Sequence, residues 1–176
     1  MSLTPTPGQT VGPFFGYALP FPEDQHLVPP GSPGAVRLQG TVYDGRGEPV
    51  PDAILELWQA DASGAVVQQP GSLRRDGWTF TGWGRASTDA LGHYSFTTVA
   101  PAAPFFAVTV FARGLLDRLF TRAYLPAAAD DPFLATLDPD RRSTLVVTEP
   151  QPGGGYVFDV YLQGERETVF LSYPRH

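Results

Sequence analysis

Short segments in which apolar and polar residues alternate run through most of this 176-residue chain, and turns rich in Gly and Pro separate them. The alternation is clear in residues 36–42, 53–58 and 93–97. A period of two residues is that of a β-strand with one buried face. The segments recur at turn spacings of about 8 to 12 residues, and no helical segments alternate with them. This pattern predicts an all-β domain, a sandwich of about seven to nine strands rather than a parallel sheet.

The first 35 residues differ from the rest because eight of them are proline. Proline lacks the N–H that a central strand or a helix interior needs, so an extended conformation is favoured there. The same segment holds apolar side chains that do not suit a solvated linker: Phe14, Phe15, Tyr17, Leu19 and Phe21. We therefore predict an extended arm over residues 1–35 that lies against its own domain or a partner, and a single domain over residues 36–176.

Composition argues against several classes of partner. All twelve basic residues are Arg, and the net charge of −6 provides no basic field for a nucleic acid backbone. The chain has no Cys, its first ten residues show no secretory leader, and its apolar runs are much shorter than the ~20 residues that span a bilayer. We expect a soluble, cytoplasmic protein that binds neither nucleic acid nor membrane.

Individual elements can be placed within the domain. Residues 36–42 and 53–58 are predicted to pair as a hairpin through the glycines that follow Asp44. Further strands are expected at 93–97, 106–111, 119–124, 145–147 and 156–162. A single short helix is expected within residues 131–142, with Asp131 as its N-cap and Pro132 at its first position. The predicted core includes Trp58, Trp83 and Phe96.

No set of residues is spaced as a metal site. The only histidines are His26 in the arm, His93 beside a turn and His176 at the end of the sequence. The carboxylates that precede turn residues are better explained by bonds to backbone N–H groups: Asp44, Asp52, Asp61, Asp76 and Asp89. We predict no metal on this chain.

Three groups of segments resemble the intradiol dioxygenases, and within that family the α subunits of two-subunit members. They are "TPGQTVGPFF"; "LELWQADASG" with "FTGWGRASTDALGHYSF"; and "VTVFARGLLDRLFTRAYLP" with "YVFDVYLQGERETVFL". The segment "GTVYDGRGEPVPDAILELWQAD" is similar to the opening hairpin of transthyretin-like proteins. The resemblance implies a prealbumin-like sandwich.

The same resemblance implies where an iron site would be. The family holds Fe(III) with two Tyr and two His, and phenolate oxygen stabilises the ferric ion. At the place of the first Tyr this chain has Val66, and Phe105 and Ala107 stand approximately where the two His are expected. The short loop at 99–103 has no Tyr for the fourth position. The implied cofactor, Fe(III), is therefore expected on a homologous β subunit.

The resemblance also implies that this chain forms one side of a shared site for protocatechuate and O₂, with the β subunit on the other side. By motif match, Thr10, Gly12 and Pro13 would line the substrate pocket, although Gly12-Pro13 could equally shape a turn. Arg122 lies on the predicted strand between Phe120 and Tyr124, where a guanidinium could bind the substrate carboxylate. The alternative for Arg122, a solvated side chain on an outer strand face, stays open. No residue of this chain is expected to be catalytic.

The function that the resemblance implies is intradiol cleavage of protocatechuate to 3-carboxy-cis,cis-muconate by an αβ hetero-oligomer, with this chain inactive alone. A non-enzymatic prealbumin-like binding or adhesion module is the alternative from another class. The proline-rich aromatic arm and the lack of repeats count against it. A self-sufficient catechol or hydroxyquinol dioxygenase would need the four missing ligands.

Overall fold

The computed structural model describes residues 15–67, 69, 75–128, 130–149 and 155–173. Within these ranges the chain forms eight strands and little helix, as expected for an all-β protein. The strands are β1 Ala35–Tyr43, β2 Ile54–Trp58, β3 Trp83–Ser87, β4 His93–Val99, β5 Phe105–Phe111, β6 Leu119–Tyr124, β7 Tyr156–Val157 and β8 Val160–Tyr161. The helices are α1 Phe15–Ala18, a 3₁₀ turn at Leu134–Thr136 and α2 Pro139–Ser143. None of these described helices has the length and apolar character that a bilayer span needs.

The strands form two sheets. In the first sheet β1 pairs with β4 on one side and, in parallel, with the short strands β7 and β8 on the other. The second sheet has the order β3-β2-β5-β6, and all its pairs are antiparallel. Both sheets contribute to one buried cluster: Leu38, Val42, Tyr94 and Phe96 from the first, and Leu55, Leu57, Ala86, Phe106, Val108 and Val110 from the second. The core therefore lies between the sheets, and each sheet has an outer face.

The predicted hairpin between residues 36–42 and 53–58 is wrong. The turn exists, since the Val50 N–H donates to the Val42 carbonyl at 2.9 Å and Tyr43 bridges Pro49. After this turn the chain crosses to the other sheet, where β2 pairs with β3 and β5 instead of β1. Pro49 and Pro51 have no N–H for a continued ladder, which accounts for the break in pairing.

The predicted helix within 131–142 is also wrong in extent. Asp131 does cap a turn, because its Oδ1 accepts the N–H of Phe133 at 2.8 Å and that of Leu134 at 3.4 Å. The 3₁₀ turn beyond it ends at Thr136, Leu137 is extended, and α2 begins at Pro139. The predicted strand at 145–147 is reduced to an isolated bridge at Val146, and the one at 156–162 is split into β7 and β8.

Residues 24–28 lie along one edge of the two sheets. The Leu27 N–H donates to the carbonyl of Thr97 in β4, and the Arg85 N–H in β3 donates to the Asp24 carbonyl, both at 2.8 Å. These bonds tie the edge strand of one sheet to the edge strand of the other. Leu27 is fully buried in the common core.

The predicted turns at aspartates are confirmed in four cases. Asp44, Asp61, Asp76 and Asp89 each accept backbone N–H groups of residues that come soon after them in the chain. Hydrogen bonds lower the pKa of all four carboxyls, and for Asp44 and Asp89 the backbone bonds contribute most. The largest contribution comes from the Ser63 hydroxyl for Asp61 and from the Thr79 hydroxyl for Asp76, whose pKa falls to about 2. Asp52 differs, since its carboxylate lies 3.3 Å from Arg113 Nε in an ion pair.

Candidate functional site

Arg122 lies on the outer face of the second sheet. Thr121 and Ala123 of β6 are buried, and alternation directs the residues between and beside them to the other side. The predicted common face of Phe120, Arg122 and Tyr124 is therefore observed. In the register of β5 and β6, Arg122 lies opposite Ala107 and Tyr124 lies opposite Phe105.

The guanidinium of Arg122 is held by aromatic side chains. Its Cζ is 4.2 Å from the centroid of the Phe105 ring and 5.8 Å from that of Phe133. Its Nη1 donates to the Tyr124 hydroxyl at 3.1 Å. Burial opposes the charge, but the bond to Tyr124 and the charge of Asp131 outweigh it and raise the pKa of Arg122. The side chain is thus a fixed cation rather than a freely solvated one.

Trp58 is the other large side chain beside Ala107 on this face. Ala107 is the register partner of Trp58 in β2 and of Arg122 in β6, so a small residue separates an indole from a guanidinium. Trp58 is 52% exposed, and its predicted place in the core is wrong. The reason is the strand period: Trp58 shares its face with Glu56, whereas Leu55 and Leu57 fill the core. The prediction for Phe96, which is 0% exposed and lies between the sheets, is confirmed. Trp83 is buried as predicted, at 6% exposed, but it lies opposite Trp58 in the register and is covered by Phe21.

The segment that precedes the domain, at Leu19 and Phe21, packs on the outer face at β3. Phe21 stacks on Trp83 with ring centroids 6.3 Å apart, and Arg85 donates to the Leu19 carbonyl at 3.0 Å. Arg85 also forms an ion pair with Glu56, with 2.7 Å between Nη2 and Oε1, and its guanidinium lies over the Trp83 ring. The three candidate substrate residues that precede this segment, Thr10, Gly12 and Pro13, lie outside the described residues.

A separate cleft of about 940 Å³ lies on the outer face of the first sheet. It brings together polar side chains that are distant in sequence: Asp24, His26, Arg37, Asp89, His93 and Asp159. Two of the three histidines thus share one cleft, which their sequence spacing did not indicate. Arg122 is not among the residues that line it.

Comparison with known proteins places the chain in a family. The alpha chain of protocatechuate 3,4-dioxygenase from Burkholderia cepacia is 38% identical to it, over 97% of this chain and 98% of that relative. A family model described as a dioxygenase matches residues 11–130. The chain belongs to the intradiol dioxygenase family.

This intradiol dioxygenase chain is similar to both chains of its relative. The beta chain of protocatechuate 3,4-dioxygenase from Burkholderia cepacia is 33% identical, over 82% of this chain and 72% of the relative. Among solved structures, the dioxygenase domain of a carbohydrate-binding fusion protein from Streptomyces sp. SirexAA-E has a TM-score of 0.58 and 28% identity. That match covers 92% of this chain and 99% of the domain. The similarity to this solved structure therefore extends over most of the chain.

The residues of this intradiol dioxygenase chain do not fit the iron that its family implies. Phe105 and Ala107, at the two positions expected to hold His, have hydrocarbon side chains, and Phe105 lies against the Arg122 cation. Val66, at the position expected to hold Tyr, is 76% exposed and has no donor atom. Among the described residues, no group of three or more His, Asp or Glu side chains lies close enough together to hold a metal ion. A cation beside these positions would also repel a metal ion.

The contacts of Tyr124 with Asp131 and of Arg122 with Phe133 were missed by the sequence reasoning. Phe133 and Asp131 approach β6 only because the chain turns back after Tyr124. The one available signal was the capping pattern at Asp131-Pro132, which indicates a turn but not its packing partner.

Proposed function

We propose that this chain is the α subunit of a protocatechuate 3,4-dioxygenase, which forms a shared active site with an iron-bearing β subunit. The assembly would cleave protocatechuate with O₂ between the two ring hydroxyls to give 3-carboxy-cis,cis-muconate. Similarity to such an alpha chain over 97% of this chain supports the proposal. One observation supports placing the iron on the β subunit rather than on this chain. Phe105 and Ala107 occupy the positions expected for the iron ligands, and the fixed Arg122 cation lies beside them.

The finer structural expectations belong to the same proposal. We infer a prealbumin-like topology for the two sheets, and an arm over residues 1–35 that extends from a domain over 36–176. The absence of Cys supports the proposed cytoplasmic location. On this chain no residue is proposed to be catalytic. Fe(III) is expected on the β subunit, which would supply the chemistry of ring cleavage.

Arg122 is proposed to bind the carboxylate of protocatechuate at the shared site. A guanidinium has five N–H donors in a planar fork that fits a carboxylate. The half-buried position between Phe105 and Phe133 reduces the screening of its charge by water. Thr10, Gly12 and Pro13 are proposed to line the pocket around the ring, with Gly12 permitting close approach of the backbone and Thr10 offering a hydroxyl.

Co-purification tests the proposal. The chain should be purified alone and with a candidate β chain, and the iron content, visible absorbance and O₂ uptake with protocatechuate should be measured. We expect the lone chain to be colourless and inactive and the pair to be coloured and active. Iron-dependent ring cleavage by the lone chain would contradict the proposal. Failure of every β chain to bind would favour a non-enzymatic binding module.

Substitution of Arg122 tests its proposed contact. In the assembled enzyme, Arg122→Ala should raise the KM for protocatechuate by roughly 10- to 100-fold, the range expected for losing a hydrogen bond to a charged group. Arg118→Ala is the matched control because Arg118 also stacks on an outer-face ring, that of Phe120, at 4.9 Å. An unchanged KM in Arg122→Ala would remove Arg122 from the site.

A further inference from the structure

We propose that Tyr124 and Asp131 are positioning residues that orient the Arg122 guanidinium toward a bound carboxylate. The inference rests on the proposed function, in which Arg122 contacts the substrate. It concerns a question that the proposed function leaves open, namely what keeps a long and flexible arginine side chain in one orientation on a sheet surface.

The first step is the hydrogen-bond capacity of Arg122. Arginine has five N–H donors and no acceptor. Within the part of the chain that the structure describes, the guanidinium makes one hydrogen bond, from Nη1 to the Tyr124 hydroxyl. The Phe105 ring, 4.2 Å from Cζ, supports the guanidinium by its face and uses none of its donors. Most donors of this fixed cation are therefore available to an anion.

The second step is the direction of the chain of hydrogen bonds. Because arginine can only donate, the Tyr124 hydroxyl accepts from Arg122. Its own hydrogen is then free to go to Asp131 Oδ1, 3.2 Å away. The order Arg122 to Tyr124 to Asp131 ends on a carboxylate, which accepts and does not donate when ionised. The orientation of the Tyr124 hydroxyl is thus determined from both sides.

The third step is that Asp131 Oδ1, which accepts from Tyr124, also accepts a backbone hydrogen bond. Asp131 Oδ1 accepts the Phe133 N–H at 2.8 Å, so it fixes the turn that brings the Phe133 ring to the guanidinium. Tyr124 itself is fully buried and packs against Phe105, with ring centroids 5.2 Å apart. One oxygen therefore fixes both the hydrogen-bond acceptor of Arg122 and one of the two rings around it.

A double-mutant cycle in the assembled enzyme tests the inference. Tyr124→Phe removes only the hydroxyl and keeps the ring that packs on Phe105. We expect it to raise the KM for protocatechuate roughly three- to tenfold, the value of one lost hydrogen bond, with kcat within about twofold. The KM for catechol, which has the same ring diol and no carboxylate, should not change. Combined with Arg122→Ala, the Tyr124→Phe change should add nothing further.

Two more variants separate positioning from a structural effect. Asp131→Asn keeps an acceptor for the Phe133 N–H but removes the charge, and it should raise the KM for protocatechuate in the same direction as Tyr124→Phe. Tyr156→Phe, which removes the hydroxyl of a tyrosine packed on Phe106, is the matched control and should leave both KM values unchanged. Melting temperature and iron per αβ pair show whether each variant is assembled.

The outcomes distinguish the inference from the function on which it rests. A raised KM in Arg122→Ala with no effect of Tyr124→Phe would overturn the positioning role and leave the Arg122 contact intact. Equal effects of Tyr124→Phe on protocatechuate and catechol would also overturn positioning, because the hydroxyl would then act on the fold. No effect of Arg122→Ala would overturn both.

Discussion

Gly40 in β1 lies directly against the backbone carbonyl of Phe158. A Cβ at this position would stand only 2.6 Å from the carbonyl carbon of Phe158 and still closer to its oxygen. The same oxygen accepts the hydroxyl hydrogen of the fully buried Tyr94 at 2.5 Å, and the Phe158 N–H donates to the Gln39 carbonyl at 2.8 Å. Neither backbone can move without loss of these bonds, so glycine is required at position 40.

Gly40→Ala should therefore lower the free energy of unfolding by about 1–3 kcal/mol or more, through overpacking against a fixed backbone. Gly16→Ala is the control, because the nearest heavy atom to its Cβ would be 3.9 Å away. The control should not lower the free energy of unfolding, and it should raise it by at most about 1 kcal/mol because Gly16 lies in α1. Urea denaturation of both variants measures the difference, and similar stabilities would contradict the packing described for Gly40.

The two tryptophans of the outer face should differ in their contribution to stability. Trp83 is 6% exposed and is covered by Phe21, Arg75 and Arg85, whereas Trp58 is 52% exposed. Trp83→Ala should cost about 3–5 kcal/mol, the range for large aromatic residues in cores. Trp58→Ala should cost at most about 1 kcal/mol. Equal losses in urea denaturation would show that Trp58 is as well covered as Trp83.

Asp24 should make stability fall with rising pH. Burial raises the pKa of its carboxyl above 3.8, although the Phe21 N–H and the charges of Arg85 and Arg75 partly oppose this. The folded state then holds the proton more tightly than the unfolded state. The resulting stabilisation is present below pH 3.8 and is lost as the pH rises through the higher pKa of the folded state.

Asp24→Asn keeps an acceptor for the Phe21 N–H and removes this titration. Its free energy of unfolding, measured between about pH 3 and 7, should increase relative to the wild type as the pH rises. Asp89→Asn provides a control of opposite sign. Backbone bonds from His93 and Leu91 lower the pKa of Asp89, so its contribution is present above pH 3.8 and lost as the pH falls below it. Parallel pH profiles for the two variants would refute the assignment for Asp24.

Local patterns in the sequence predicted the features that depend on a few neighbouring residues. The period of two placed Arg122 with Phe120 and Tyr124, and Asp89 with Gly92 marked a turn in which Gly92 has a φ of 73°. The partner of a strand is not a local property. Prolines interrupt the ladder on the carboxyl-terminal side of β1, and nothing in the pattern of β2 indicates that β3 and β5 are its neighbours.

The same distinction applies to the candidate site. Arg122 could be chosen from the sequence because its strand and its resemblance to a known motif are local features. The carboxylate of Asp131 and the ring of Phe133 reach it only because the chain turns back after Tyr124. That turn lies just before the two short helical pieces, where the sequence predicted one helix. Side chains from a separate stretch of the chain become neighbours of Arg122 through that turn alone.

The hydrogen bonds of residues 24–28 set a limit on how the protein can be shortened from its amino end. Deletion up to Ala18 would leave Asp24 and Leu27 joined to β3 and β4. Deletion through Val28 would remove a fully buried leucine and expose the seam between the sheets. Truncation on the amino-terminal side of Asp24 can thus test the substrate contacts proposed for Thr10, Gly12 and Pro13 without removing the residues that join the two sheets.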